Sequence, residues 1–224
     1  MNEPDYIYSR TFRSLNPDLV AACSTKQYGN MSYSRDTDGS APANFNRYMK
    51  DLSIDLSKNT VAIASCSHGN NIALVSKVPT SGRHAINRQS PLVKELHTFA
   101  ADFKIEGEEE RNKDGVDAIV TIDTSVFPGV AAADCGVVAL FDPVSGASAM
   151  IHSGGIGCYA GIVHNTIKCM TRWAHVNPQN LHAFIGPCAH FPNVNLTTTG
   201  IWNFIKKFTS DEDGKNFDQI KHIT

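Results

Sequence analysis

Short apolar runs rich in β-branched residues and alanine alternate with polar turns along this chain, and this pattern limits the folds open to it. The runs are TVAIAS at 60–65, DAIVT at 117–121, GVAAADCGVVALFD at 129–142, SAMIH within Ala147–His152, and Leu181–Ile185. Helical periodicity occurs between them, at Asn44 to Ile54 and at Cys158 to Trp173. The turn at Pro143 to Gly146 predicts a hairpin. We therefore expect an α/β fold, a single layered domain with a mixed β-sheet flanked by helices.

The composition agrees with one globular unit. The chain has 224 residues, of which 42% are hydrophobic and 19% charged, so general disorder is excluded and residues 1–224 are expected to form one domain. Twenty Lys and Arg against 22 Asp and Glu give a formal net charge of −2. This balance argues against nucleic acid and against a membrane surface as partners.

Targeting signals and cysteine frameworks are not evident in the sequence. No apolar stretch approaches the roughly 18–20 residues that cross a bilayer, and the first residues, MNEPDYIYSRTF, do not resemble a signal peptide. The six cysteines are spread singly without a CxxC pair, which is typical neither of a disulfide scaffold nor of a zinc ribbon. A cytoplasmic protein is the expectation.

Residues 80–114 differ in character from the rest of the chain. They are polar and charged, ending in EGEEERNKD at 106–114, and are interpreted as a surface insertion around one helix, Pro91 to Phe103. A second amphipathic helix is predicted in the tail, at Gly200 to Phe208.

Four residues that carry chemistry stand at the ends or turns of the apolar runs: His68, Asp134, Cys135 and His152. A sheet holds such side chains rigidly while their tips meet at its edge, which suits a zinc site. Two imidazoles and one thiolate would leave a fourth tetrahedral position open, as in catalytic zinc sites. The spacings match no local zinc motif, so by spacing alone a small buried cysteine and hydrogen-bonded turn histidines are the favoured explanation of these residues.

Several dispersed motifs together resemble the multicopper polyphenol oxidase (laccase-domain) family. They are, in the family's order, Ser24-Thr25-Lys26 with Gly29-Asn30-Met31-Ser32, Asn46-Arg47, Ser67-His68-Gly69-Asn70, Asp117 to Thr121, Ala133-Asp134-Cys135, Ile151-His152-Ser153-Gly154 and Ile185-Gly186-Pro187. The resemblance covers about residues 15 to 195. Members are described as zinc-dependent purine nucleoside phosphorylases, and several also deaminate adenosine.

The resemblance implies a metal site and a reaction. The family's zinc ligands correspond to His68, Cys135 and His152. Zinc suits this donor set better than the copper of the family's name, because no further copper ligands are evident. The implied substrates are a purine nucleoside and phosphate, which yield the base and ribose 1-phosphate. Adenosine deamination is the implied side activity.

The resemblance also assigns residues to the substrate. Arg47 and Asp134 are the expected catalytic residues, with Arg47 supplying a guanidinium for phosphate and Asp134 either supporting the metal ligands or accepting a proton. Lys26, Asn46, Gly154 and Gly155 are the expected substrate contacts. For Arg47 a solvated helix position, for Asp134 a turn-forming role and for the glycine run a plain tight turn are the structural alternatives.

Two departures from the family pattern leave further functions open. Gly155-Ile156 stands where the family has Trp-Arg, and Lys26 replaces an arginine, so two planar guanidinium groups are missing. A catalytically weakened metal-binding or regulatory protein is therefore one alternative to the phosphorylase, and a copper-dependent polyphenol oxidase is another. The sequence leaves the oligomeric state undecided.

Overall fold

The computed structural model describes residues 5–76, 81–99 and 114–189, which fold into strands and helices that alternate along the chain. The strands are β1 Tyr6–Tyr8, β2 Ala22–Ser24, β3 Thr60–Ala64, β4 Ile72–Val75, β5 Gly82–Ile86, β6 Val93–His97, β7 Ala118–Thr121, β8 Val126–Gly129, β9 Gly136–Phe141, β10 Ser148–Ser153 and β11 His182–Ile185. The helices are α1 Arg10–Leu15, α2 Ala41–Asp51, α3 Gly155–Tyr159 and α4 Ile162–Ala174. Among these described helices, none has the length and apolarity that spanning a bilayer requires.

A six-stranded sheet forms the centre of the fold, with the strand order β11-β9-β10-β7-β4-β6. Most neighbours in it are antiparallel, whereas β4 and β7 are parallel. The predicted mixed sheet is therefore confirmed, and so is the hairpin between β9 and β10. A three-stranded parallel sheet, β5-β3-β8, and a small antiparallel pair, β1-β2, complete the strands.

The two larger sheets and two helices form layers. Alternate residues of the six-stranded sheet, such as Ile72 and Leu74, pack with Ile162 and Met170 of α4. The intervening residues face the three-stranded sheet, and this shared core comprises Ala62, Ala64, Ala73, Val75, Ile119 and Val126. The outer face of the three-stranded sheet is covered by α2, through residues such as Phe45 and Met49. The predicted α/β class, with helices flanking sheets, is confirmed.

The predicted helix from Pro91 to Phe103 is wrong over its described part. Residues Val93–His97 form β6, which pairs antiparallel with β4 at the end of the six-stranded sheet. A free strand edge leaves backbone hydrogen bonds unmade, and pairing with it outweighs a weak helical pattern. Residues 82–86 likewise form β5 beside β3. Residues 100–113 lie outside the described part, so the insertion remains a prediction.

The helix predicted from Cys158 to Trp173 is two helices. α3 begins earlier than predicted, at Gly155, and α4 begins at Ile162. Gly161 separates them with φ +72°, a left-handed conformation that glycine adopts without a steric penalty. The face of α4 that packs inward includes Ile162, Thr166 and Cys169, which are all buried. The predicted tail helix at 200–208 lies outside the described residues.

Asp142 closes the hairpin that joins β9 to β10. Its carboxylate accepts hydrogen bonds from the amides of Val144 and Ser145, at 3.0 and 3.3 Å, and from the Ser145 hydroxyl at 2.7 Å. Burial by itself raises the pKa of Asp142, but these bonds to the ionised carboxylate outweigh it, and the pKa lies below its ordinary value. The hairpin that aligns β9 with β10 is thus stabilised by a charge.

We expect Asp142→Asn to lower the free energy of unfolding by about 1–3 kcal/mol at pH 7, because a buried charged acceptor is lost. A carboxyl whose pKa is depressed by folding stabilises the protein above its unfolded pKa of about 3.9. That contribution disappears as the pH falls through the lower folded value. The difference in unfolding free energy between variant and wild type, measured by urea unfolding, should therefore shrink below about pH 4. Asp18→Asn, at an exposed position, is the control and should change little; a difference for Asp142→Asn that stays constant with pH would contradict the charge argument.

Candidate metal centre

The hairpin of β9 and β10 brings Cys135 beside His152. In its register Gly136 pairs with Ser153, so Cys135 emerges next to the end of β10 where His152 lies. The two residues are 17 positions apart in the chain, but the antiparallel pairing makes them neighbours.

His68 reaches the same edge of the sheet from β4. Ile72, at the start of β4, pairs with Ala118 of β7, and Ala118 pairs with Ile151 of β10. The turn that precedes Ile72 therefore lies beyond the same edge as His152. His68 occupies that turn, and Asp117, which immediately precedes β7, contacts it.

The structure brings together the three side chains singled out in the sequence. The ligand atoms of His68, Cys135 and His152 all lie within 4.8 Å of one another. The two imidazole rings are 4.8 Å apart at their centroids and nearly perpendicular, at 85°. Two imidazole nitrogens and one sulfur form a donor set that fits zinc, and the three groups are close enough to share one ion. Their role as metal ligands stays a prediction.

Asp117 orients His152. Its side chain is fully buried, and its Oδ1 lies 2.9 Å from Nδ1 of His152. An ionised carboxylate can only accept, so Nδ1 must donate the proton, and the lone pair of the ring is then on Nε2. Such a carboxylate–histidine pair is what fixes metal-binding imidazoles in many zinc sites.

The same carboxylate also binds the turn that carries His68. It accepts hydrogen bonds from the amide of His68 at 2.9 Å, the amide of Gly69 at 2.8 Å and the hydroxyl of Ser67 at 2.6 Å. Burial alone would raise the pKa of Asp117; the bonds from His152, Ser67 and Gly69 outweigh it, and the pKa is lowered. Asp117 is therefore charged at neutral pH and holds both histidines.

The turn at His68 has an uncommon backbone. His68 has φ 61° and Cys66 has φ 54°, both in the left-handed region that costs a side chain about 1 kcal/mol or more. The bonds from the His68 and Gly69 amides to Asp117 offset that cost. Strain of this kind, held by surrounding contacts, concentrates at functional sites.

Gly154 lies directly against the three predicted ligands. A Cβ atom at this position would come within 3.0 Å of Sγ of Cys135, 3.3 Å of Cδ2 of His68 and 3.5 Å of Cε1 of His152. A side chain here would have to push the ligands apart. The sequence assigned Gly154 and Gly155 to substrate binding; the structure gives Gly154 a packing contact with the site, while Gly155 is exposed at the start of α3.

Cys135 is half-buried and sits next to the exposed Asp134. Burial raises the pKa of the Cys135 thiol, and the charge and hydrogen bond of Asp134 raise it further, with smaller contributions from Cys158 and Asp117. Without a cation nearby, the thiol therefore keeps its proton at neutral pH. A metal ion would have to displace that proton to bind sulfur.

The predicted phosphate-binding residues lie on another layer. Arg47 and Asn46 are exposed on α2, and Lys26 is exposed in the 3-10 turn that follows β2. The Arg47 guanidinium donates to the carbonyl of Gln27 at 2.6 Å and lies 5.0 Å from the centre of the Tyr28 ring.

A chain of contacts nevertheless leads from that layer to the metal centre. A Cβ at Gly186 would lie 2.9 Å from Sγ of Cys23 in β2, and 2.4 Å from Cγ2 of Val137, so only glycine allows this approach. The amide of Gly186 donates to the carbonyl of Val137, and Ala189 donates to the carbonyl of Asp134. The segment after β11 thus connects the strand that precedes Lys26 with the loop that carries Cys135.

Asp117 is the residue of the candidate site that the sequence does not identify. In the sequence it is only the first residue of a strand motif and has no assigned role. An acidic residue directly before a fully apolar strand was a usable signal, since a buried carboxylate needs partners. Those partners are 35 to 50 positions away, so only the fold identifies them.

Two curated relatives match a part of the chain. A purine nucleoside phosphorylase of Streptomyces coelicolor is 39% identical over 72 residues, which is 32% of this chain and 29% of that protein. A purine nucleoside phosphorylase of Corynebacterium glutamicum is 34% identical over 83 residues, 37% of this chain and 33% of that protein. The chain thus aligns with about a third of the length of each of these relatives.

One solved structure has a similar fold over most of the chain. The hypothetical protein YfiH of Bacillus licheniformis superposes with a TM-score of 0.59 at 18% identity, over 83% of this chain and 61% of that one. A family model described as multi-copper polyphenol oxidoreductase laccase matches residues 21–222. The predicted resemblance is confirmed, and this chain belongs to that laccase family.

Proposed function

We propose that this protein is a zinc-dependent purine nucleoside phosphorylase, which uses phosphate to split a nucleoside into its base and ribose 1-phosphate. The observation that carries the proposal is the convergence of His68, Cys135 and His152 within 4.8 Å around a charged, buried Asp117. The names of the two relatives supply the class of substrate. The family's name alone would suggest phenol oxidation instead.

Zinc, bound by His68, Cys135 and His152, would supply a Lewis acid that polarises a substrate oxygen. Asp117 keeps the proton on Nδ1 of His152 and directs Nε2 towards the centre. The amides of His68 and Gly69, bonded to the same carboxylate, keep His68 at its position. These residues therefore form the site before any ligand enters, and little reorganisation is needed.

In the proposed reaction a phosphate oxygen forms a bond to C1′ while the C1′–N9 bond breaks. The electron pair of the broken bond leaves with the purine. Arg47 and Lys26 are proposed to supply positive charge for the phosphate. Support for their position comes from Cys23, in the strand before Lys26, which approaches Gly186 in the segment that contacts the loop of Cys135. Asp134, exposed beside Cys135, is the proposed proton carrier. Asn46, Gly154 and Gly155 remain the proposed substrate contacts.

The other functions make different demands on the same centre. Adenosine deamination needs zinc but no phosphate, and is retained as a side activity. A binding or regulatory protein would hold zinc without turnover. Polyphenol oxidation would require copper and redox cycling. Two imidazoles and one thiolate are fewer ligands than we expect for a copper centre of that kind.

The first prediction concerns metal content. Purified protein should contain about one zinc per chain by elemental analysis, and Cys135→Ala should lose most of it. Cys23→Ala is the matched control, because Cys23 is also half-buried but lies in β2 beside Gly186. The proposed ligands would be contradicted if wild type retained no zinc after zinc loading and dialysis. They would also be contradicted if Cys135→Ala and Cys23→Ala contained equal amounts of zinc.

The second prediction concerns Asp117. Asp117→Asn should weaken zinc binding by about 10–100-fold, because it removes the acceptor that fixes both histidines. Affinity is measured by competition with a chromophoric chelator. The control is Asp142→Asn, which alters an equally buried carboxylate at the other end of the β9–β10 hairpin. Equal affinities in wild type and Asp117→Asn would show that the carboxylate does not position the ligands.

The third prediction concerns catalysis. Zinc-loaded protein given inosine or adenosine with phosphate should release hypoxanthine or adenine together with ribose 1-phosphate. Arg47→Gln should raise the KM for phosphate about 10-fold or more, because one charge-assisted contact is lost. Arg172→Gln, at an exposed position on α4, should behave as wild type. Zinc-loaded protein without these products, or with phenol oxidation that requires copper, would overturn the proposed reaction.

A further inference from the structure

Cys158 is a second thiol near the candidate metal centre. It lies in α3, is exposed, and its amide donates to the carbonyl of Gly154 at 2.8 Å. Its sulfur lies 2.9 Å from Oγ of Ser153, the residue that follows His152. The Cys158 thiol therefore contacts β10 directly, at the residue next to the predicted ligand His152.

α3 places Cys158 close to Gly154, the residue that packs against the three predicted ligands. Cys158 is four residues after Gly154, and its amide donates to the Gly154 carbonyl as in a helical turn, so the two residues are one turn apart. The Gly154 position is directed at the candidate metal centre, since a Cβ there would contact all three side chains. A helical side chain also leans towards the helix N-terminus, which here is the direction of Gly154.

Two further observations connect this thiol to a metal. Nε2 of His152 has no hydrogen-bond partner in the part of the chain that the structure describes, although the side chain is only 3% exposed. It faces the cluster as an unused donor atom. Ser153, whose hydroxyl contacts the Cys158 sulfur, also pairs with Gly136, the residue that follows Cys135.

We propose that Cys158 turns from Ser153 to become a fourth metal ligand beside His68, Cys135 and His152. Metal binding would release the Cys158 proton to solvent and form a bond from sulfur to the ion. The resulting set of two imidazoles and two thiolates is that of closed tetrahedral zinc sites. The three-ligand centre of the proposed function becomes the open form of the same site, and a substrate has to displace Cys158.

This inference rests on the proposed metal site, and its test separates the two. Cobalt(II) reports its ligands, because each bound thiolate adds intensity to a near-ultraviolet charge-transfer band. We expect metal-free wild type titrated with cobalt to show about twice the band intensity per ion of Cys158→Ser. Cys158→Ser should still bind, with an affinity lower by about 10-fold or more.

The matched control is Cys188→Ser. Cys188 is half-buried and lies on the other side of Cys135, between Gly186 and Ala189, whose amides donate to Val137 and Asp134. This variant should match wild type in band and affinity. Equal bands in wild type and Cys158→Ser, or a halved band in Cys188→Ser, would overturn the proposal while leaving the three-ligand centre intact. Wild type without any cobalt band would instead reject the metal centre itself.

Alkylation provides a readout that does not depend on the spectrum. In metal-free protein the exposed Cys158 should react with iodoacetamide, and stoichiometric zinc should protect it, as followed by peptide mass spectrometry. Cys188 in the same sample is the internal reference and should be alkylated equally with and without zinc. Labelling of Cys158 that zinc leaves unchanged would contradict coordination.

Discussion

The buried charge of Asp117 is the interaction on which the geometry of the candidate metal centre depends. One carboxylate accepts bonds from the imidazole of His152, from two successive amides in the His68 turn and from Ser67. Burying a carboxylate is costly unless its lone pairs are all used, and here four donors use them. Because the donors come from different strand ends, the charge also ties β4, β7 and β10 together at one edge of the sheet.

The position of the Cys135 thiol is set by the sheet and not by Asp117. Cys135 reaches the site through the pairing of β9 with β10, which Asp142 stabilises at the opposite end of the hairpin. Two buried carboxylates therefore act at the two ends of the central strands. Asp142 closes the turn of the hairpin, and Asp117 positions the two histidines of the candidate metal centre. Gly154, just before α3, packs directly against the three predicted ligands.

Much of the site could be predicted from the sequence because its residues stand where apolar runs end. Such positions are visible without a fold, and the order of several motifs identified the family. The β-strands β5 and β6 could not be predicted, since their pairing with β3 and β4 depends on edges that exist only in the assembled sheets. The same holds for Asp117, whose donors are distant in the chain. The break at Gly161 was missed because the apolar period continues through it.

The β9–β10 register has a consequence for how the protein matures. A slip of one residue would turn His152 to the opposite face of the sheet and separate it from Cys135. Any ion that binds all three groups therefore recognises only the correctly paired chain, and mass action would favour that pairing as metal becomes available. If the three groups bind zinc as proposed, the ion would add its binding free energy to the correct β9–β10 register alone.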